Sequence, residues 1–258
     1  MITSRQNSRV KTISGLHRGR NRRESGLSLA EGIRPAREAL LYAEVETLVL
    51  SEQLQGSPAG EELEALARER GVEILRVADS CYEKISRLKS PEGAAAVVRI
   101  GRIEFAEILT PDCRLVAVAG LQDPANAGAI VRTAEAAGAT GCVFLGGIDP
   151  SHPRLLRGSM GASFRLPAAA GEAGDFLAAA GKIPVRLLAA SAGPGGIPYD
   201  RADFTPPCAV LIGGEGGGLP EEFLRRADQR ITIPMAGKTE SLNAAVAAGI
   251  ILYGTGWA

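Results

Sequence analysis

Cysteine, histidine and aromatic residues are scarce in this sequence of 258 residues, and their scarcity excludes several kinds of protein. The 4 cysteines lie far apart, so no CxxC pair is present, and only 2 histidines could join them in a zinc site. The cysteine density is also too low for a disulfide scaffold at this length. We therefore expect buried or unused thiols in a reducing compartment, and no metal site.

Long hydrophobic runs are also missing, apart from one uncharged stretch at the C-terminus. The N-terminus is basic but lacks the apolar core of a secretory signal peptide. The last 18 residues, 241–258, carry no charge and approach the length of a short membrane span, but serine, asparagine and glycine interrupt them. This composition predicts a buried helix, so we expect a soluble, cytoplasmic protein without a membrane partner.

A net charge is likewise missing, since the formal charge is zero, but the charges are unevenly distributed. No acidic residue precedes Glu24, whereas this segment contains seven basic residues: Arg5, Arg9, Lys11, Arg18, Arg20, Arg22 and Arg23. A block of this kind predicts contact with a polyanion. The alternative is an ordinary solvated helix face.

The hydrophobic content of 45% and the charged content of 22% are typical of a globular chain and exclude a disordered one. Residues 28–100 alternate apolar strands with amphipathic helices, including a helix over 58–70 that Ser57 caps and Gly71 ends. Pro111 begins a linker, after which glycine-flanked apolar runs predict a parallel sheet covered on both faces. The sequence therefore predicts two α/β domains, 1–108 and 109–258.

Two segments of the second domain place polar residues beside glycines at predicted strand ends, where open α/β sheets bind ligands. In residues 120–134, Asn126 begins a helix that carries Arg132; the alternative for Arg132 is an ion pair with Glu135. In residues 211–219, five glycines surround Glu215. This stretch matches neither the dinucleotide-binding fingerprint nor a phosphate-binding P-loop.

A third segment, 231–250, contains a strand that ends in Ile233, then a loop, then a helix rich in small residues. Ser241 and Asn243 fall in the first turn of that helix, where free backbone N–H groups hold anionic or polar ligands. The alternative is that Ser241 is an ordinary helix cap.

Together and in this order, the three segments resemble the motifs of the SpoU (TrmH) family of RNA ribose 2′-O-methyltransferases, within the SPOUT class. The resemblance covers residues 114–258, and residues 29–40 and 90–93 more loosely resemble the family's L30e-like substrate-binding domain. It implies an α/β fold in which a C-terminal SPOUT α/β-knot domain, containing a deep trefoil knot, follows a smaller L30e-like α/β domain.

The resemblance also implies an S-adenosylmethionine-dependent enzyme that methylates a ribose 2′-hydroxyl of RNA, with rRNA as the first expectation, and that forms a homodimer through the knot domain. It implies these active-site residues: Asn126, Arg132, Glu215, Ser241 and Asn243. The cofactor pocket would contain Ala190, Gly213, Gly214, Ile233, Met235 and Leu242. The RNA-binding residues would be Arg9, Arg18, Arg20, Arg22 and Arg23.

The role of Arg132 follows from the chemistry of its side chain. A guanidinium keeps its proton in proteins, so we interpret Arg132 as a clamp on the target phosphate that stabilises the developing oxyanion. Asn126 would orient Arg132 or the loop, Glu215 would hold a loop or the substrate, and Ser241 and Asn243 would line the point of methyl transfer. A tRNA methyltransferase and a non-catalytic RNA-binding or ribosome-associated protein are the alternatives.

Overall fold

The computed structural model describes residues 1–192, 195–214 and 217–257, and the chain forms two compact units. Unit 1 consists of Met1–Gly101 and Ser151–Phe164, and unit 2 contains the remainder. The division falls after Gly101 rather than after residue 108, because Phe105 and Ile108 pack into the core of unit 2. The functional labels given to the two parts stay a prediction.

Unit 1 is built around a four-stranded sheet in the order β1-β4-β2-β3. The first part of the chain supplies these elements: α1 (Ser8–Gly15), α2 (Gly19–Ser25), β1 (Leu27–Glu31), α3 (Ile33–Tyr42), β2 (Val45–Ser51), α4 (Pro58–Glu69), β3 (Glu73–Val77), α5 (Asp79–Ile85) and β4 (Ala94–Arg99). Strands β2 and β3 are parallel, whereas β4 is antiparallel to both of its neighbours. The predicted alternation of strands and helices over 28–100 is confirmed; α1 and α2 were not foreseen.

Helix α4 has the clearest start and end signals in the sequence, and the structure shows how they act. The Ser57 hydroxyl accepts a hydrogen bond from the Gly60 amide at 3.1 Å, and Pro58 occupies the first turn. Gly71 follows the helix with a φ of +66°, a conformation that favours glycine. Leu63 and Ala67, one turn apart, are buried and attach the helix to the unit.

Unit 2 contains a seven-stranded sheet in the order β7-β6-β5-β10-β8-β11-β9, in which all described pairings are parallel. The elements after Gly101 are α6 (Phe105–Ile108), β5 (Arg114–Ala119), α7 (Pro124–Ala136), β6 (Gly141–Leu145), α8 (Pro153–Gly158), β7 (Ala168–Gly171), α9 (Ala173–Ala180), β8 (Arg186–Ala190), β9 (Ile197–Pro198), β10 (Cys208–Gly213), α10 (Glu221–Arg226), β11 (Gln229–Thr232) and α11 (Ala244–Gly254). Helix α8 alone belongs to unit 1. The predicted parallel sheet is confirmed.

The thiols are buried, as expected from the sequence. Burial raises the pKa of Cys142 to about 12, and burial is also the main reason that the pKa of Cys208 rises to about 12. Both thiols therefore stay protonated near neutral pH, and protonated thiols are poor nucleophiles.

The strand order changes direction at the carboxyl ends of β5 and β10. These strands are neighbours, but the chain leaves β5 toward β6 on one side and leaves β10 toward β11 on the other. The two connections leave this point in opposite directions. Open α/β sheets bind ligands at such a point. The loops that follow β5, β8, β10 and β11 are therefore the first place to look for a site.

Candidate active site

A cavity of about 640 Å³ lies at the carboxyl ends of β8, β10 and β11, beside the first turn of α11. Its volume is typical of a site for a small molecule. The described residues that line it are Ala190, Ser191, Ala192, Ile212, Gly213, Gly214, Gly217, Gly218, Ile231, Ile233, Met235, Glu240, Ser241, Leu242, Asn243, Ala244, Ala247 and Ile251. All six residues predicted to hold the cofactor lie in this lining.

Close approach of backbone segments explains the glycines after β10. A Cβ on Gly213 would lie 2.2 Å from the carbonyl carbon of Gly218 and 2.4 Å from the amide nitrogen of Leu219. A Cβ on Gly214 would lie 2.5 Å from the carbonyl oxygen of Gly120, which follows β5. Gly213 and Gly214 thus let the end of β10 lie close to the backbone of Gly218 and Leu219 and to the residue that follows β5.

Asn126 and Asn243 meet beside the cavity. The Asn243 side chain caps α11 by accepting hydrogen bonds from the amides of Ala245, at 2.9 Å, and Val246, at 3.3 Å. Its Nδ2 donates to Oδ1 of Asn126 at 3.3 Å. The contact ties the first turn of α7 to the first turn of α11.

The structure identifies the caps of α7 and α11. The Asp123 side chain, not that of Asn126, caps α7 by accepting from the Ala125 amide at 3.1 Å. Asn243, not Ser241, caps α11, and Ser241 instead lines the cavity. Neither Asn126 nor Ser241 is therefore the residue that caps its helix.

Arg132 is exposed on α7 and is not part of the cavity lining. The expected alternative, an ion pair with Glu135, is wrong, because Glu135 accepts a hydrogen bond from Nε of Arg165 at 2.8 Å. Within the described part of the chain, Arg132 forms no hydrogen bond or salt bridge. The structure thus brings Asn126, Ser241 and Asn243 to the cavity but leaves Arg132 outside it, and Glu215 lies outside the described residues.

Two arginines of the predicted RNA-binding set are held by carboxylates. Arg9 donates to Glu73 at 2.6 Å, and this interaction raises the pKa of Arg9 and lowers that of Glu73. Arg20 donates to Glu24, four residues further along α2, at 2.7 Å. Charges that are already paired contribute less to the attraction of a polyanion.

The other three predicted arginines differ in exposure. Arg22 is only 4% exposed and donates to the carbonyl oxygens of Leu16 and His17, at 3.0 and 3.2 Å. Arg22 is therefore not part of an exposed RNA-binding surface, contrary to expectation. Instead, its guanidinium stabilises the corner between α1 and α2. Arg18 and Arg23 are exposed, and neither forms a hydrogen bond or salt bridge with the residues that the structure describes.

A loop of unit 1, residues 86–92, was not singled out by the sequence and is fixed at several points. The Ser86 hydroxyl donates to the buried carboxylate of Glu31, and the Glu92 carboxylate accepts from the Ile33 amide at 2.9 Å. Just before the loop, the Ile85 carbonyl oxygen lies 2.8 Å from Nε2 of His17. The loop therefore forms one surface with the α1–α2 and β1–α3 corners.

This surface carries exposed basic side chains, and we call Arg18, Arg34, Arg87 and Lys89 the basic face of unit 1. Among the described residues, none of the four forms a hydrogen bond or salt bridge. Burial lowers the pKa of the neighbouring His17, and Arg87 lowers it further, so His17 is mostly neutral near pH 7. The four unpaired side chains therefore supply the positive charge of this face.

Comparison with family models and solved structures assigns this fold to the SPOUT class of methyltransferases. The SpoU rRNA Methylase family matches residues 114–253, and the MRM3-like substrate binding domain matches residues 7–96. The chain therefore belongs to the SpoU rRNA methylase family. The predicted family and enzyme class are confirmed, and so is the α/β fold class with its parallel sheet.

Characterised relatives match nearly the whole chain. A 23S rRNA (uridine(2479)-2′-O)-methyltransferase from Streptomyces viridochromogenes is 34% identical, covering 98% of this chain and 90% of its own. The 23S rRNA (guanosine(2553)-2′-O)-methyltransferase RlmP of Bacillus subtilis is 26% identical, covering 98% and 97%. An AdoMet-bound rRNA methyltransferase structure from Sinorhizobium meliloti has a TM-score of 0.87 and 32% identity, covering 98% and 96%.

Two further observations concern partners. No helix in the described ranges is long and apolar enough to cross a membrane. No group of three or more histidine, cysteine, aspartate or glutamate side chains within those same ranges could hold a metal ion.

Proposed function

We propose that this protein uses S-adenosylmethionine to methylate a ribose 2′-hydroxyl of ribosomal RNA. The observation that carries the proposal is the cavity at the carboxyl ends of β8, β10 and β11, with the Asn126–Asn243 contact beside it. The full-length relatives named above support rRNA in preference to tRNA. With this substrate, the reaction belongs in the cytoplasm.

The cavity fits this cofactor in size and in chemistry. Aliphatic side chains such as Ile212, Ile233 and Leu242 supply apolar walls for an adenine, and the exposed backbone near Gly213 supplies hydrogen-bonding groups. When bound, the cofactor supplies an electrophilic methyl group on a positively charged sulfur. The role of the chain is then to align the ribose oxygen with that methyl group and to stabilise negative charge on the oxygen.

The polar residues would have different roles in aligning the ribose oxygen and stabilising its charge. Ser241 and Asn243 line the cavity and would contact the ribose near the reacting oxygen. Asn126, which accepts from Asn243, would keep that amide oriented. Arg132 would hold the target phosphate and stabilise the oxyanion, and its lack of a partner among the described residues leaves its guanidinium available. Glu215 remains a candidate for holding the loop or the substrate.

RNA would bind along the basic face of unit 1. The exposed, unpaired side chains of Arg18, Arg34, Arg87 and Lys89 are suited to phosphate groups, whereas Arg9 and Arg20 are paired and Arg22 is buried. Arg23, exposed on α2, would extend the contact. This assignment moves the centre of the RNA surface from the N-terminal arginine block to the loop 86–92.

We further propose a homodimer that forms through α7 and α11. Val246 and Tyr253, two helical turns apart on α11, are 51% and 61% exposed, and exposed apolar side chains on one face favour association. The other side of α11 packs on α7, where Thr133 approaches Gly249. The trefoil knot is also a proposal, supported by the position of β10 between β5 and β8.

The decisive experiment is incubation with labelled S-adenosylmethionine and ribosomes, free rRNA or total tRNA, followed by mapping of ribose methylation. We expect label at one 2′-oxygen of rRNA. Label in tRNA alone would favour the tRNA alternative. Cofactor binding without transfer to any of the three RNAs, or no cofactor binding at all, would contradict the proposed activity.

A further inference from the structure

Glu240 differs in charge from the other described residues that line the cavity. The other described lining residues are glycines, aliphatic side chains, one methionine and the neutral polar residues Ser191, Ser241 and Asn243. Glu240 is the one charged side chain in the described lining. Within the described part of the chain, its carboxylate forms no hydrogen bond or salt bridge.

Glu240 precedes the N-terminus of α11, and both affect how the cavity interacts with a cation. Helix α11 begins at Ala244, and Ala244, Ala247 and Ile251 line the cavity along its length. The N-terminus of a helix carries a partial positive charge of about +0.5, which repels a cation. A carboxylate close to this helix N-terminus would offset its repulsion of a cation, and Glu240 lies three residues before the Asn243 cap.

We propose that Glu240 recognises the positive charge of the methyl donor and thereby distinguishes S-adenosylmethionine from its product. This inference rests on the proposed function, because it assumes that the cavity holds this cofactor. After transfer, the sulfur is a neutral thioether, and its attraction to a carboxylate disappears. Glu240 thus favours the loaded cofactor over the spent one and lessens product inhibition.

The expected size of the effect is modest because Glu240 is exposed to solvent. Exposed ion pairs contribute little, so neutralising the carboxylate should weaken donor binding only about two- to fivefold. Salt screens such a pair, so the donor affinity of the wild-type protein should fall as ionic strength rises. The product affinity should depend on salt much less.

Isothermal titration calorimetry on the full-length protein tests the inference with three compounds. S-adenosylmethionine carries the sulfonium, sinefungin carries an amine at the equivalent position, and S-adenosylhomocysteine carries neither. We expect Glu240→Gln to weaken binding of the first two about two- to fivefold and to leave S-adenosylhomocysteine unchanged. Glu240→Asp, which keeps the charge, should recover part of the loss.

Glu222→Gln is the matched control, because Glu222 is an exposed carboxylate of α10 that does not line the cavity. It should change none of the three affinities. Equal weakening of all three compounds by Glu240→Gln, or no change for any of them, would overturn the inference while the proposed function stands. A wild-type protein that binds none of the three would overturn both.

Discussion

Single residues matter most where backbone segments meet, and Gly213 is the clearest case. A Cβ there would press against the Gly218 carbonyl carbon and the Leu219 amide at distances that real structures do not tolerate. Both contacts are with backbone, so no side chain can turn away. We predict that Gly213→Ala destabilises the fold by about 1–3 kcal/mol and weakens cofactor binding at least tenfold, as measured by thermal unfolding and calorimetry.

Gly217 provides the control in the same loop. It also lines the cavity, but a Cβ there would meet no atom within 4 Å. Gly217→Ala should therefore leave the unfolding temperature unchanged and keep most of the cofactor affinity. Equal losses in both variants would show that the loop requires glycine for flexibility and not for close backbone approach.

At the residue scale, the sequence revealed which chemical groups are present but not which partners they have. The glycines around 213 and the residues Ser241 and Asn243 were identifiable because glycine and small polar residues at strand ends leave a local pattern. The pairing of Glu135 with Arg165 and the burial of Arg22 depend on tertiary packing, which leaves no such pattern. For the same reason, Glu240 was not singled out.

At the scale of elements, the loop 86–92 should control RNA binding. Arg87 and Lys89 are exposed and unpaired among the described residues, and Ser86 and Glu92 hold the loop in place. We predict that the double variant Arg87→Gln/Lys89→Gln lowers affinity for rRNA fragments and reduces the slope of log K against log salt by about 1.4, or about 0.7 per lost phosphate contact. Filter binding at several salt concentrations measures both quantities.

A second double variant, Arg20→Gln/Arg68→Gln, removes the same charge from elsewhere in unit 1. Both side chains are exposed and paired with a glutamate four residues away along a helix. This variant should change the slope by much less than the loop variant. If the two slopes fall equally, binding depends on the total charge and the basic face has no special role.

The secondary structure was predictable where hydrophobic periodicity was strong and failed where it was weak. The buried strands β5, β6 and β10 are predicted from the continuous apolar runs 115–119, 142–145 and 209–212, and these runs agree with the strands to within one residue at each end. Strand β7 consists only of alanine and glycine, and β9 spans two residues, one of them proline, so neither produces a recognisable pattern. Their pairing comes from the adjacent strands of the sheet.

At the scale of the whole molecule, the position of Arg132 raises the question of which cavity it serves. The side chain is exposed on α7 and absent from the lining of its own cavity, while Val246 and Tyr253 expose an apolar stripe on the adjacent helix α11. A dimer formed through these helices would carry Arg132 toward the second copy. We therefore expect Arg132 to act on RNA bound at the partner's cavity.

Mixed dimers test this expectation. Arg132→Ala should bind cofactor normally but lose about 100-fold or more in methylation, because it lacks the group that stabilises the oxyanion. Ala247→Phe should fill the cavity, since Ala247 lines it, and should abolish cofactor binding. Each homodimer is then inactive.

A dimer with one chain of each kind, isolated through two different tags, should recover about half of the wild-type activity if Arg132 serves the partner, because one intact cavity then faces one intact arginine. If Arg132 serves its own chain, both cavities are defective and the mixed dimer stays inactive.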